Sequence, residues 1–136
     1  MLNKVVVHYL DGNVERGYTT DFQPNKEIFH LIVEDNGEKS ILVKIINLKA
    51  VFFVKNLKGL NKTRVKAKRS FEEIKDKKMI GRKVKVEFTD GEVLFGITLG
   101  YSANRRGFFF TPIDTESNNE RIFAIINAVK DITFYE

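Results

Sequence analysis

The sequence predicts an all-β protein made of two tandem five-stranded small barrels, with one short helix in a basic connector between them. Three observations predict this. A stretch is written twice: KVVVHYLDGNVERGY from Lys4 returns as KVKVEFTDGEVLFGI from Lys83, and Asp11-Gly12 recurs 79 positions on as Asp90-Gly91. Both copies alternate apolar and polar residues, the period of a strand with one face buried. Charge is segregated as well: between Lys55 and Lys83 twelve basic residues stand against three acids, so this segment carries +9 in a chain of net +5. Repetition at a fixed offset marks a duplicated unit. Units of roughly 55 residues sit near the lower limit for a self-supporting core, so the halves are expected to pack on each other or to oligomerise. The boundaries are 1–61 for the first repeat and 62–136 for the connector with the second.

In the first strand of each copy, Val5, Val7 and Tyr9 match Val84, Val86 and Phe88 as the inward side, and His8 lies where Glu87 lies, towards solvent. Asp-Gly then makes a tight hairpin, because glycine accepts the positive φ such turns require. A second strand follows near residues 14–21 and 92–99. Gly17 and Gly96 inside it are read as a bulge or sharp bend, the corner a small barrel needs. Pro24-Asn25 and Asn104-Arg105-Arg106-Gly107 read as turns. Third strands contain Phe29, Leu31 and Val33, or Phe108 and Phe110. Fourth strands contain Ile41 to Val43, or Ile122 to Ala124, and the last run from Ala50 to Val54 and from Asp131 to Tyr135. In the connector, Ser70 and Glu73 have the capping-box form, Phe71 and Ile74 share a face, and Gly81 ends the helix. Val65 to Lys68 could add an edge strand.

Twelve Phe residues and 43% apolar content supply a core, so disorder is not expected. Cysteine is absent, which excludes disulfides and thiol-rich metal sites and fits a reducing compartment. MLNKVVVHYLDG reaches an acid after a very short apolar run, unlike a signal peptide or a membrane span. A soluble, cytoplasmic protein without a cofactor is the expectation. Catalysis is not expected either: His8 and His30 sit on separate strands, neither recurs in the other copy, and no phosphate-cradling Gly-rich loop opens a helix.

In the second unit SFEEIKDKKMIGRKVKVEFTDGEVLFGITLGY supplies a short helix and then the GRKVKVEFTDG strand and hairpin; followed by a loop with Asn and three more strands, this resembles the Sm-like small barrel. The first unit has DFQPN, where Asp21 and Asn25 stand four apart, similar to the first Sm motif, whose Asn contacts an RNA base. The second unit has Gly100 at the Asp position. The turn equivalent to the second Sm motif reads Ile46-Asn47-Leu48 and Ile126-Asn127-Ala128, without the Arg and Gly of that motif. The wording DGxVxxGxTxDFxPNxxxFHL is also similar to an uncharacterised bacterial domain family.

The resemblance and the charge together imply a non-catalytic module that binds single-stranded RNA or another polyanion at low specificity. The connector would supply electrostatics through Lys62, Arg64, Lys66, Lys68 and Arg69. The loops would supply local contacts through Asn25, Lys26, Asn104, Arg105 and Arg106, with Tyr101 and Phe108, or Phe22 and Phe29, as stacking platforms for bases. Turn formation by the two Asn residues and burial of the aromatics is the competing reading of the same residues. Two alternatives stand beside nucleic-acid binding. One is a protein-interaction or homo-oligomeric assembly barrel that joins neighbours through open strand edges. The other rests on Arg64, Arg69 and GYSANRRG, which are faintly similar to the motifs of cyclic di-GMP-binding PilZ barrels.

Overall fold

Among the described residues, ten strands form where the alternation places them. The computed structural model describes residues 2–33, 39–59, 80–102, 104–114 and 116–135. The strands are β1 (Asn3–Tyr9), β2 (Val14–Thr19), β3 (Ile28–Val33), β4 (Lys39–Lys44), β5 (Leu48–Val54), β6 (Arg82–Phe88), β7 (Val93–Thr98), β8 (Gly107–Pro112), β9 (Asn119–Ile125) and β10 (Val129–Tyr135). Short 3-10 turns, Ile45–Asn47 and Ile126–Ala128, join the fourth strand of each half to the fifth. No α-helix occurs among the described residues. The helix expected after Ser70, the edge strand at Val65 to Lys68 and the boundary near residue 62 lie outside them.

The two Asp-Gly hairpins are built alike. Gly12 and Gly91 have φ of +94° and +95°, and each donates its N–H to the last residue of the preceding strand, Tyr9 at 3.1 Å and Phe88 at 2.9 Å. Asp11 and Asp90 then accept the backbone N–H two residues on, at 2.9 and 3.0 Å. These are three-residue loops closed by a left-handed glycine, a geometry that suits the twist of the flanking strands.

The expected pair of closed barrels is not what forms. All ten strands belong to one open antiparallel sheet in the order β10-β6-β7-β8-β9-β5-β1-β2-β3-β4. Each half repeats the same internal order, fifth-first-second-third-fourth, and its fourth and fifth strands do not pair with each other. Instead β5 of the first half takes β9 of the second as its neighbour, with Ala50 opposite Ala124, Val51 opposite Phe123 and Phe52 opposite Ile122. The physical reason lies in β5 itself. LKAVFFV is apolar almost throughout and all seven residues are buried. A strand apolar on both faces needs cover on both, which a barrel with a single interior cannot supply. The counterpart β10, VKDITFY, alternates between half-buried and exposed residues.

Two cores follow, and successive residues of the shared strands feed them alternately. Val5, Val7, Phe29, Leu31, Val51 and Phe53 of the first half pack with Phe123 and Ile125 of the second. Val84, Val86, Phe88, Phe110 and Ile122 of the second half pack with Val6, Ala50 and Phe52 of the first. Each half thus covers the outer face of the other's joint strand. This explains two departures from expectation on β1. Val6, on the supposed solvent side, is buried. His8 is half-buried with its ring edge-on to Phe52 at 4.5 Å; burial, and then the nearby Lys49 charge, lower its pKa.

Of the bulge or sharp bend expected at Gly17 and Gly96, no bulge falls there. The register shifts fall elsewhere, between His8 and Tyr9, between Phe53 and Val54 and between Val129 and Asp131. The glycines allow the third strand to cross closely: a Cβ on Gly17 would stand 2.3 Å from the Ile32 carbonyl oxygen, and one on Gly96 would stand 2.5 Å from the Phe110 ring. Only two residue pairs join β2 to β3 there.

Candidate ligand-binding cleft

Pairing β5 with β9 brings together loops that are far apart in sequence. The β2–β3 loop of the first half meets the β7–β8 loop of the second, and the two 3-10 turns flank them. Each loop is pinned to its own turn by the same bond: Ile45 N–H donates to the Glu27 carbonyl at 2.9 Å, and Ile126 N–H to the Arg106 carbonyl at 2.8 Å. Across the joint, the Arg106 guanidinium donates to the Asn25 carbonyl at 2.9 Å and to Glu27 Oε1 at 3.0 Å. An open cleft of about 610 Å³ lies between them, with Lys44, Ile46, Asn104, Arg105, Arg106 and Asn127 on its walls.

The cleft is electropositive. Glu27 offsets Arg106, whereas Lys44 and Arg105 make no ion pair among the described residues. Two amide side chains, Asn104 and Asn127, offer donors and acceptors beside these cations. Such a set suits phosphate and the polar edge of a planar base. The carboxylate on the cleft wall, Glu27, is held by Arg106 at 3.0 Å. Among the described residues no three His, Cys, Asp or Glu side chains are grouped to hold a metal ion, and no helix is long and apolar enough to cross a membrane.

Of the loop residues singled out from the sequence, Asn104, Arg105 and Arg106 line the cleft together. Asn25 is at its margin and contributes its carbonyl to Arg106 rather than its side chain. Lys26 is exposed in the adjoining turn and is not part of the wall. Lys62, Arg64, Lys66, Lys68 and Arg69 lie outside the described residues, and with them both arginines of the PilZ-like reading. Asp21 braces the first loop instead of facing a ligand: its carboxylate accepts from the His30 backbone N–H at 2.9 Å and lies 2.7 Å from His30 Nδ1. Partial desolvation works against its charge, but the bonds from His30 and the Thr19 hydroxyl prevail and hold its pKa below the usual value.

The aromatic platforms are a correction. Phe108 and Phe29 are buried, and Tyr101 packs edge-on against Phe108 and tilted against Phe134, with centroids at 5.2 and 5.4 Å. Phe22 closes the joint, edge-on to Phe29 and Phe53 of its own half and to Phe109 and Phe123 of the other. Edge-to-face clusters are how phenyl groups fill a core, and none of these rings presents a free face to the cleft. Residues that sequence reasoning missed are Lys44 and the turn residues Ile46 and Asn127. The turns had a signal, since they occupy the place of the second Sm motif; Lys44 had none.

A family model described as "Family of unknown function (DUF6982)" matches residues 1–135. No curated protein and no solved structure matches the chain.

Proposed function

This chain belongs to the DUF6982 family, and we propose that it is a non-catalytic module that binds single-stranded nucleic acid at low specificity. The observation that carries the reading is the cleft at the joint between the halves, where Arg105 and Lys44 have no acidic partner among the described residues and stand beside Asn104 and Asn127. Cations place a phosphodiester backbone, and amides meet base edges. The Sm-like resemblance points to the same loop, since the Asn at the position of Asn104 is the one expected to touch a base. The basic connector supports the reading through the positive charge it adds to the chain.

Without an exposed aromatic platform in the cleft, affinity rests on charge and hydrogen bonds, which favours tolerance of sequence. Fluorescence anisotropy with labelled U-rich RNA, single-stranded DNA and duplex DNA tests this. Single strands are expected to bind better than duplex, and Arg105→Ala to weaken binding by about tenfold, the loss of one charge-assisted contact worth about 1.5 kcal/mol. Equal binding of all three probes, unmoved by Arg105→Ala, would remove the cleft from consideration.

A further inference from the structure

Among the described residues, the sheet ends in two strands that are the repeat counterparts of the two that already pair inside the chain. β5 and β10 are the fifth strands of their halves, β4 and β9 the fourth. The fifth strand of the first half is bonded to the fourth of the second. What remains at the two ends of the order is the fifth strand of the second half, β10, and the fourth strand of the first, β4. We propose that β10 of one copy adds to β4 of the next in the register of the internal β5–β9 joint, so that the chain associates head to tail with itself.

The register is determined by the pairings within each half. Val5 lies opposite Phe53 and Val84 opposite Phe134, so Phe52, Val51 and Ala50 correspond to Thr133, Ile132 and Asp131. Phe29 lies opposite Val43 and Phe108 opposite Ala124, so Phe123 and Ile122 correspond to Leu42 and Ile41. The internal joint sets Val51 against Phe123 and Phe52 against Ile122. Between copies, the same joint sets Ile132 against Leu42 and Thr133 against Ile41.

Unfinished contacts at both ends favour a second copy over another occupant. Phe22 packs on two rings of its own half and two of the other; its counterpart Tyr101 packs on the same two positions of its half, Phe108 and Phe134, and remains 38% exposed. Phe123 is 1% exposed inside the joint, whereas its counterpart Leu42 is 51% exposed at the far edge. Joining the copies brings Tyr101 of one against Leu42 of the next. Charge is complementary too: Glu27 and Arg106 occupy equivalent loop positions and pair across the internal joint, and between copies the same two residues meet with sides exchanged. β10 carries Asp131 and Thr133 where β5 carries Ala50 and Phe52, so the joint between copies buries less apolar surface. Association is therefore weaker than the internal joint and rises with concentration. Being heterologous, it makes rings where the rotation closes and filaments where it does not. The inference does not depend on the nucleic-acid reading.

Sedimentation and light scattering of the full chain, free of nucleic acid, test it over a wide concentration range. The expected mass climbs in whole multiples of 15.7 kDa, and Leu42→Lys, which alters an exposed edge residue, returns the chain to monomer with unchanged circular dichroism. Because the chain has no cysteine, the double variant Leu42→Cys/Ile132→Cys reads the register directly. It is expected to form a disulfide ladder on oxidation, since directly opposite residues have Cβ atoms about 5 Å apart, while Leu42→Cys/Thr133→Cys, on opposite faces, does not. A wild-type chain that remains monomeric throughout overturns the proposal, as does a ladder from the second double variant alone.

Discussion

Replacing Lys49 tests the contact that ties the second hairpin to the first half. Lys49 is on β5, nearly buried, with its ammonium 2.7 Å from Asp90, hydrogen-bonded to Glu92, and 4.8 Å from the centre of the Phe88 ring. Lys49→Met keeps most of the buried stem and removes the charge. Both carboxylates are more than one-third exposed, so solvent screens the pairs and each is worth about 0.5 kcal/mol. The ring contact adds about 0.5 kcal/mol. The Met variant should thus lose about 1–2 kcal/mol, a fall in Tm of roughly 4–8 °C for a chain of this size. Lys49→Ala also strips about three buried methylenes at about 0.8 kcal/mol each, and should lose about 3–4 kcal/mol. Urea denaturation at neutral and acid pH checks both. The Lys49 hydrogen bond, foremost, and the Glu92 N–H hold the Asp90 pKa below 3.8. Its contribution is present above that value and lost as pH falls through the lower, folded one. For Lys49, desolvation is outweighed by the bonds to Asp90 and Glu92, which raise its pKa above 10.5, so it stays charged across the neutral range. The gap between wild type and Lys49→Met should therefore be widest near neutrality and shrink in acid. A Met variant as stable as wild type at neutral pH, or a gap that does not change with pH, would refute the reasoning.

Three further outcomes follow from the same geometry. Phe123→Ala should cost about 3–5 kcal/mol in denaturant unfolding because it opens a cavity at the joint, whereas Leu42→Ala at the matching edge position should cost under about 0.5 kcal/mol in the monomer. Gly17→Ala places a methyl group against the Ile32 carbonyl, and should destabilise by about 2–3 kcal/mol or more through overpacking; thermal melts read this. The salt dependence of single-strand binding separates cleft from connector: two or three cleft cations give a log–log slope of about −2, whereas adding the five connector cations steepens it to about −5. A slope that Arg105→Ala and Lys44→Ala leave unchanged would place the phosphate contacts elsewhere.

The sequence by itself determined what is local. Alternation placed ten strands, Asp-Gly placed two hairpins, and the 79-residue offset paired the halves from the first strand to the third, with one or two residues of slippage beyond it. The polar triad Asn104, Arg105 and Arg106 was legible because it interrupts two apolar strands. What only the tertiary structure decided is which edge meets which. β5 already carried the mark of a strand covered on both faces, but its partner β9 lies some 70 positions away, and many registers bury apolar surface equally well by pattern alone. Everything that depends on this pairing was hidden with it: the open sheet in place of two barrels, the burial of Val6, the packing of Phe22 against Phe109 and Phe123, the side chain of His8 against Phe52, and the Arg106–Glu27 bridge. Lys44 could not be distinguished in the sequence from any other strand lysine. It became a wall of the cleft when the β5–β9 ladder brought the second half's loop beside it, because a site between repeats exists only once the repeats are docked.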